Sequence, residues 1–227
     1  MLVSHRYKFI YTKTRKTGGT SIESYFERFC MHEGEFKQRH LRNEYESDAG
    51  IIGYRGPSVP ANCKWWGHMP AKKIKESLGE EIWNNYFKFC SIRNPFEKCI
   101  SHYEFMRKSK KTSLIQNLLL LIKHPNYTYE QIQFINLIKQ RIILDSEMYL
   151  IDGEFCLDDF IRYEKMNSEI ERVCNILSIP FEPEYIPSFK SKNRRKIANI
   201  EYFYTQESID LVRELFAYEF EKFGYKA

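Results

Sequence analysis

The sequence predicts an α/β fold with a central, mostly parallel sheet flanked by helices, and three observations lead there. YKFIYTK at 7–13 is β-rich and runs through a glycine turn into a helical pattern. YFKFCSI at 86–92 is a nearly continuous apolar and aromatic run, as a strand buried on both faces requires, and a second helical pattern follows it at once. Short β-rich and helical segments then alternate to the C-terminus, which favours parallel strands joined by right-handed crossovers. With 227 residues, 43% hydrophobic and 16% aromatic, the chain is too apolar for disorder and long enough for one well-buried domain. A single domain over 1–227 is expected, with 112–144 as a helical insertion.

Each element has its own warrant. After the glycines, Ile22, Tyr25, Phe26, Phe29 and Cys30 recur at helical spacing and form one apolar face. Residues 33–68 lose periodicity and collect Gly, Pro, Asn and charge, so they read as a long irregular connection of the kind that often carries function. Asn94 and Pro95 supply a helix N-cap and first position, with Phe96, Cys99, Ile100 and Tyr103 on one face. Residues 112–144 read as helical, MYLI (148–151) and FIRYE (160–164) as short strands, 165–177 as a helix, and 206–223 as a last helix stopped at Gly224.

Composition narrows the partners. Thirty-five Lys and Arg against 30 Asp and Glu give a formal net charge of +5, which favours anionic ligands without naming one. The six cysteines, Cys30, Cys63, Cys90, Cys99, Cys156 and Cys174, form no C-x-x-C pair, and several lie in apolar runs. They read as reduced residues of a cytoplasmic protein, although an even count leaves disulfides open. The most apolar stretch, LIQNLLLLI at 114–122, is too short to cross a bilayer, so no membrane span is expected.

The chemistry concentrates in RKTGGTS, residues 15–21. Glycines let a backbone approach a ligand, the first N–H groups of a helix lack internal partners, and the helix dipole adds positive potential there. Lys16 adds a full charge beside Arg15, Gly18 and Gly19, and Thr17, Thr20 and Ser21 add hydroxyl donors. The stretch is an anion cradle; the competing structural reading is a glycine turn with Thr20 as a cap and Lys16 in solvent. It is not the G-x-x-x-x-G-K-[ST] loop of ATP and GTP enzymes, because its lysine precedes the glycines. Two apolar segments ending in Asp145 and Asp152 resemble the strand-plus-aspartate that positions Mg²⁺ in nucleotide-dependent kinases, and they keep that alternative in view.

KTGGTS after a β-rich strand, together with SIRNPFEKCISHYEF at 91–105, resembles the two nucleotide-binding motifs of sulfotransferases that use 3′-phosphoadenosine 5′-phosphosulfate (PAPS), particularly the carbohydrate sulfotransferase branch. DDFIRYEKM (158–166) and YFYTQESIDLVRELFAYEFEKFGY (202–225) are similar to that family's late strand and closing helix. The family commonly carries proline where Arg15 stands and arginine where Lys98 stands. The resemblance implies a P-loop-like three-layer fold, PAPS as co-substrate with no metal required, and a hydroxyl-bearing acceptor, a sugar or glycan rather than nucleic acid. It makes residues 15–21 the 5′-phosphosulfate loop and Arg93 with Ser101, eight residues later, the 3′-phosphate site. In the basic run KSKNRR, Lys190, Asn193, Arg194 and Arg195 would close over the adenosine and its 3′-phosphate. Segments 30–64 and 108–144 match nothing in the family, and acceptor specificity would reside there.

Transfer to a hydroxyl also needs a proton acceptor. His68, in WWGHMP, is the first candidate, because an imidazole near neutral pKa suits the task and the carbohydrate branch has a histidine in a similar place. His40, His102 and a glutamate of 33–47 remain alternatives, and a structural role beside Trp65 and Trp66 competes. Against the enzyme stands a second class of reading, a non-catalytic basic α/β module that binds nucleotide or nucleic acid.

Overall fold

The computed structural model describes residues 1–107, 124–141, 143–187 and 200–227. They fall into two compact units, Met1–Ile92 with Asp145–Ser191, and Arg93–Leu144 with Lys192–Ala227.

The first unit carries the sheet. Its strands are β1 (Leu2–Ser4), β2 (Phe9–Thr12), β3 (Tyr45–Glu46), β4 (Gly50–Ile52), β5 (Phe87–Ile92) and β8 (Asp159–Arg162), in the order β3-β4-β1-β2-β5-β8. β2, β5 and β8 run parallel, with Thr12 opposite Cys90 and Cys90 opposite Phe160. β1, β3 and β4 extend the sheet with antiparallel pairs, Val3 lying opposite both Ile10 and Ile51. The α/β class and the central sheet expected from the sequence are therefore present. β1 escapes a periodicity argument because three residues cannot establish a period. β3 and β4 lie inside the 33–68 connection, where a hairpin closed by Ser47 and Gly50 replaces the fully irregular segment expected there.

Helix α1 (Gly19–Phe26) and the tighter turn Glu27–Cys30 that follows it turn Ile22, Tyr25, Phe26, Phe29 and Cys30 inward, the face read from the sequence. Phe26 is central: its ring meets Phe9, Tyr25, Phe29 and Phe89 at centroid distances of 5.6, 5.1, 6.2 and 5.2 Å, mostly edge-on, the geometry aromatic quadrupoles favour. Helix Met166–Ile176 adds Ile170, Val173 and Cys174 to the same core. α2 (Ala71–Leu78) and α3 (Glu80–Asn85) precede β5. A small hairpin, β6 (Leu150–Ile151) with β7 (Glu154–Phe155), forms a separate two-stranded sheet.

The second unit is helical among its described residues. Its first helix, α4 (Pro95–Arg107), starts as the sequence dictates, with Asn94 Oδ1 accepting from the N–H of Phe96 at 3.0 Å and Pro95 in first position. Cys99, Ile100 and Tyr103 pack with Phe134, Leu137 and Ile138 of helix Tyr129–Lys139, whose start is closed reciprocally by Thr128 and Gln131. The expected last helix is two helices, Gln206–Leu215 and Ala217–Phe223, broken where Phe216 leaves helical dihedrals and buries its ring; Gly224 ends the second in the left-handed conformation. Of the expected 112–144 helix, residues 112–123 and 142 lie outside the described residues, and Tyr129–Lys139 is helical.

Truncating Phe26 to alanine removes a ring with four aromatic neighbours from a close-packed site. Phe26→Ala should lower stability to denaturant by about 3–5 kcal/mol, read as a shifted unfolding midpoint with the slope unchanged.

Candidate active site

The loop between β2 and α1 stands at the carboxyl end of a parallel strand, the usual ligand edge of such sheets. Two of its residues, Lys16 at φ 61° and Gly18 at φ 75°, adopt left-handed conformations. Gly18 has no room for a side chain: a Cβ would lie 2.4 Å from Met166 Cε and 2.8 Å from the Tyr163 ring. Gly18, not Thr20, is the N-cap, and it offers no side-chain cap to the helix. The amides of Ser21 and Ile22 turn back to its carbonyl at 2.9 and 3.3 Å, leaving those of Gly19 and Thr20 at the positive end of the dipole. Arg15, Lys16, Thr20 and Ser21 are half-buried around this end, while Gly19 is buried. The backbone N–H of Arg15 donates to the carboxylate of the buried Asp145.

Beneath the loop lies a chain of hydroxyls that sequence reading missed. The Thr14 hydroxyl donates to the Ser91 carbonyl; Thr14 and Thr17 are 2.8 Å apart, Thr17 and Ser91 Oγ 2.8 Å, and Ser91 Oγ and the Tyr11 phenol 2.8 Å. With one proton per hydroxyl, the series Tyr11 to Ser91 to Thr17 to Thr14 to the Ser91 carbonyl lets each donate once. Burial raises the Tyr11 phenol well above its ordinary value and keeps its proton in place. Thr17, expected as a ligand donor, spends its hydroxyl here, so toward a ligand it offers its backbone. One signal was available: Ser91 is a polar residue in a strand buried on both faces, and a buried hydroxyl demands a partner.

A second missed feature is a buried ion network. Lys13 Nζ meets Glu23 at 2.6 Å, Arg55 meets Glu23 at 2.8 Å and also pairs with Glu27, and Arg42 meets Glu27 at 2.7 Å. Both carboxylates are fully buried. Burial pushes the Glu23 carboxyl upward, but Lys13 foremost among the surrounding cations overrides it and holds the group well below the usual carboxylate range. Burial likewise pulls the Lys13 ammonium down from its ordinary value, against the attraction of Glu23. Glu23 and Glu27 sit at i and i+4, a spacing that from sequence alone resembles a solvated face.

This network reaches His68. The Lys13 carbonyl lies 2.9 Å from His68 Nδ1. A carbonyl can only accept, so Nδ1 carries the proton and the neutral ring presents its lone pair at Nε2. Burial first, and the Lys13 charge second, lower the His68 pKa to about 4, so the imidazole is neutral at pH 7. The segment holding it is pinned on the acidic 44–46 residues: Glu44 accepts from the amides of Lys64 and Trp65, and Glu46 accepts from Trp65 Nε1 at 2.8 Å. Trp65 is a core residue, whereas Trp66 is half-buried with the Lys73 ammonium 5.5 Å from its ring centroid. His40 is exposed and offers its carbonyl to Arg55. An open cavity of about 370 Å³ lies in the same connection, lined in part by Arg39, Leu41, Tyr45, Tyr54 and Pro57. Its Tyr54 accepts at the backbone from Gly67, the neighbour of His68, at 2.9 Å.

In the second unit Arg93 is nearly buried, and its Nε and Nη2 lie 3.3 and 3.0 Å from Glu97 Oε2. Ser101 is half-buried on α4, one turn beyond Glu97, and His102 is buried on the same helix. Lys190, Asn193, Arg194 and Arg195 lie outside the described residues. The two aspartates that kept a kinase in view do not form its site. Among the described residues Asp145 follows no strand, and Asp152 occupies the exposed turn of the β6–β7 hairpin, paired with Lys72. Among the described residues no three His, Cys, Asp or Glu side chains are grouped to hold a metal ion.

A model of the sulfotransferase family matches residues 1–226. The chain belongs to the sulfotransferase family. It is also similar to an uncharacterized protein of Archaeoglobus fulgidus, 25% identical over 134 residues, which span 57% of this chain and 99% of the relative. No solved structure matches. The family match runs through both units, so this sulfotransferase carries the 15–21 loop and the Arg93 helix within one matched stretch.

The hydroxyl chain gives a direct test of how the loop is held. Ser91→Ala leaves the Tyr11 phenol and Thr17 hydroxyl short of a buried partner and should cost about 1–3 kcal/mol of stability in denaturant titration. A loss no larger than an ordinary surface substitution would show that the chain does not support the loop.

Proposed function

We propose that this sulfotransferase moves the sulfuryl group of PAPS to an acceptor hydroxyl on a sugar or glycan, in the cytoplasm, with Lys16 and the first amides of α1 serving the donor and His68 serving the acceptor. The observation that carries the reading is the loop itself. Lys16 is held left-handed, a conformation costing a lysine on the order of 1 kcal/mol, just before a helix start that places the Gly19 and Thr20 amides at the positive end of the dipole. The donor set fits a phosphosulfate: an ammonium, a guanidinium, the first amides of α1 and the Thr20 and Ser21 hydroxyls, with the Asp145 carboxylate taken up by the Arg15 amide.

PAPS, when bound, supplies an activated sulfuryl group on a phosphate leaving group. Transfer of this kind passes through a loose in-line transition state, so catalysis is mostly placement and electrostatics. Lys16 and the amides at the start of α1 would hold the charge that grows on the leaving oxygen, a role worth about 10²–10³ in rate for a single donor. His68 Nε2 would take the proton of the acceptor hydroxyl, while Nδ1–H stays on the Lys13 carbonyl and fixes the ring. Arg93 and Ser101 would bind the 3′-phosphate, and Lys190, Asn193, Arg194 and Arg195 would cover the nucleotide. The cavity beside Tyr54 is the place to seek acceptor contacts, since its wall is bonded to the residue before His68.

Ligand-dependent melting tests the donor. Adenosine 3′,5′-bisphosphate at about a hundred times its Kd should raise Tm by roughly 5–10 °C, and ATP with Mg²⁺ should leave Tm in place. The reverse pattern would remove PAPS from the proposal.

The low His68 pKa yields a pH test. Protonation destroys the Nε2 lone pair, so activity falls as pH drops through the pKa. With the donor varied, kcat/KM reports the free enzyme and should hold until about pH 4. The anionic donor favours the imidazolium and raises the pKa, so the acid limb of kcat should lie at higher pH than that of kcat/KM. His68→Ala should remove most turnover while leaving bisphosphate affinity nearly unchanged. A variant that keeps its turnover and both limbs would refute the base role.

A further inference from the structure

Arg93 does not stand in solvent awaiting an anion. Its side chain is 8% exposed, and the Nε and Nη2 edge of its guanidinium converges on Oε2 of Glu97 at 3.3 and 3.0 Å. That edge is the fork with which arginine takes a carboxylate or a phosphate through two parallel bonds, and one anion occupies it at a time. Glu97 is placed there by the helix start. Asn94 caps α4 and Pro95 opens it, so Glu97 falls in the first turn, where the dipole favours a carboxylate and where i to i+4 spacing brings it back to Arg93. The next residue on the same stripe is Ser101, again four positions on. A phosphate that touched both Arg93 and Ser101 would therefore meet the Glu97 carboxylate between them, at a separation where like charges repel appreciably.

We propose that Glu97 is a specificity-determining residue for the nucleotide: its carboxylate holds the Arg93 fork, and a 3′-phosphate binds by displacing it. The inference rests on the reading of Arg93 and Ser101 as the 3′-phosphate site. Displacement makes the terminal phosphate contribute less than a free guanidinium would give, which moderates affinity for the bisphosphate product as well as for the donor. Nucleotides without a 3′-phosphate do not compete for the fork and are untouched by Glu97.

The test is calorimetric titration of the full chain with adenosine 3′,5′-bisphosphate and with adenosine 5′-monophosphate, in wild type, Glu97→Gln and Arg93→Ala. Glutamine keeps an amide oxygen for Arg93 and removes only the charge. Wild type should prefer the bisphosphate, Arg93→Ala should lose most of that preference, and Glu97→Gln should enlarge it on the order of tenfold with monophosphate affinity unchanged. A structural role for Glu97 would move both ligands together. If Arg93→Ala loses the preference but Glu97→Gln leaves it unchanged or diminishes it, the displacement role is overturned while the phosphate site stands. If wild type shows no preference, or Arg93→Ala retains it, the phosphate site itself is wrong and the role of Glu97 falls with it.

Discussion

The fully buried carboxylate of Glu23 is the constraint on which the first unit turns. It lies on α1 and is met by Lys13 from the end of β2 and by Arg55 from the long connection, while Glu27 and Arg42 extend the same network. Charges taken out of water cost several kcal/mol each unless every one finds a close partner, so removing one member strands the others. Such a network is a costly way to gain stability and an effective way to demand one arrangement. Here the arrangement joins the strand that feeds the loop, the helix that receives it and the segment that turns back toward His68. Lys13 also reaches the imidazole: its carbonyl fixes the tautomer, and its ammonium adds to the burial that lowers the His68 pKa.

Apart from the Asp145 carboxylate that accepts from the Arg15 amide, the contacts that hold the loop are made by neutral groups. Tyr11, Ser91, Thr17 and Thr14 pass one line of hydroxyl contacts across the ends of β2 and β5, satisfying buried oxygens without adding charge beneath an anion cradle. The positive groups of the loop are Lys16 in its left-handed position and the first amides of α1.

The connection that carries His68 is built from a different kind of material. Residues 33–68 hold a small hairpin, a half-buried tryptophan, the cavity beside Tyr54 and glutamates whose oxygens fasten the 64–65 backbone. Glu44 and Glu46 are thus committed to holding the His68 segment. The base candidate is a loop residue made rigid by three surroundings at once: the Lys13 carbonyl, the Tyr54–Gly67 pairing and the buried Trp65.

From the sequence by itself came the α/β class, the inward face of α1, the buried strand β5, the Asn94–Pro95 helix start and the family resemblance, because each is written in residues adjacent along the chain or one helical turn apart. The glycine loop was legible for the same reason. What only the tertiary structure decided depends on residues far apart in the chain. Glu23 and Glu27, spaced like a solvated face, are buried because Lys13, Arg42 and Arg55 converge on them. Thr17, read as a ligand donor, faces Ser91 across the sheet. The last helix breaks at Phe216 because its ring is wanted in the core, a demand that helical periodicity cannot express. His68 owes its tautomer to the Lys13 carbonyl, 55 positions away, and its lowered pKa to burial first and the Lys13 charge second, and periodicity along a chain carries no record of such a meeting.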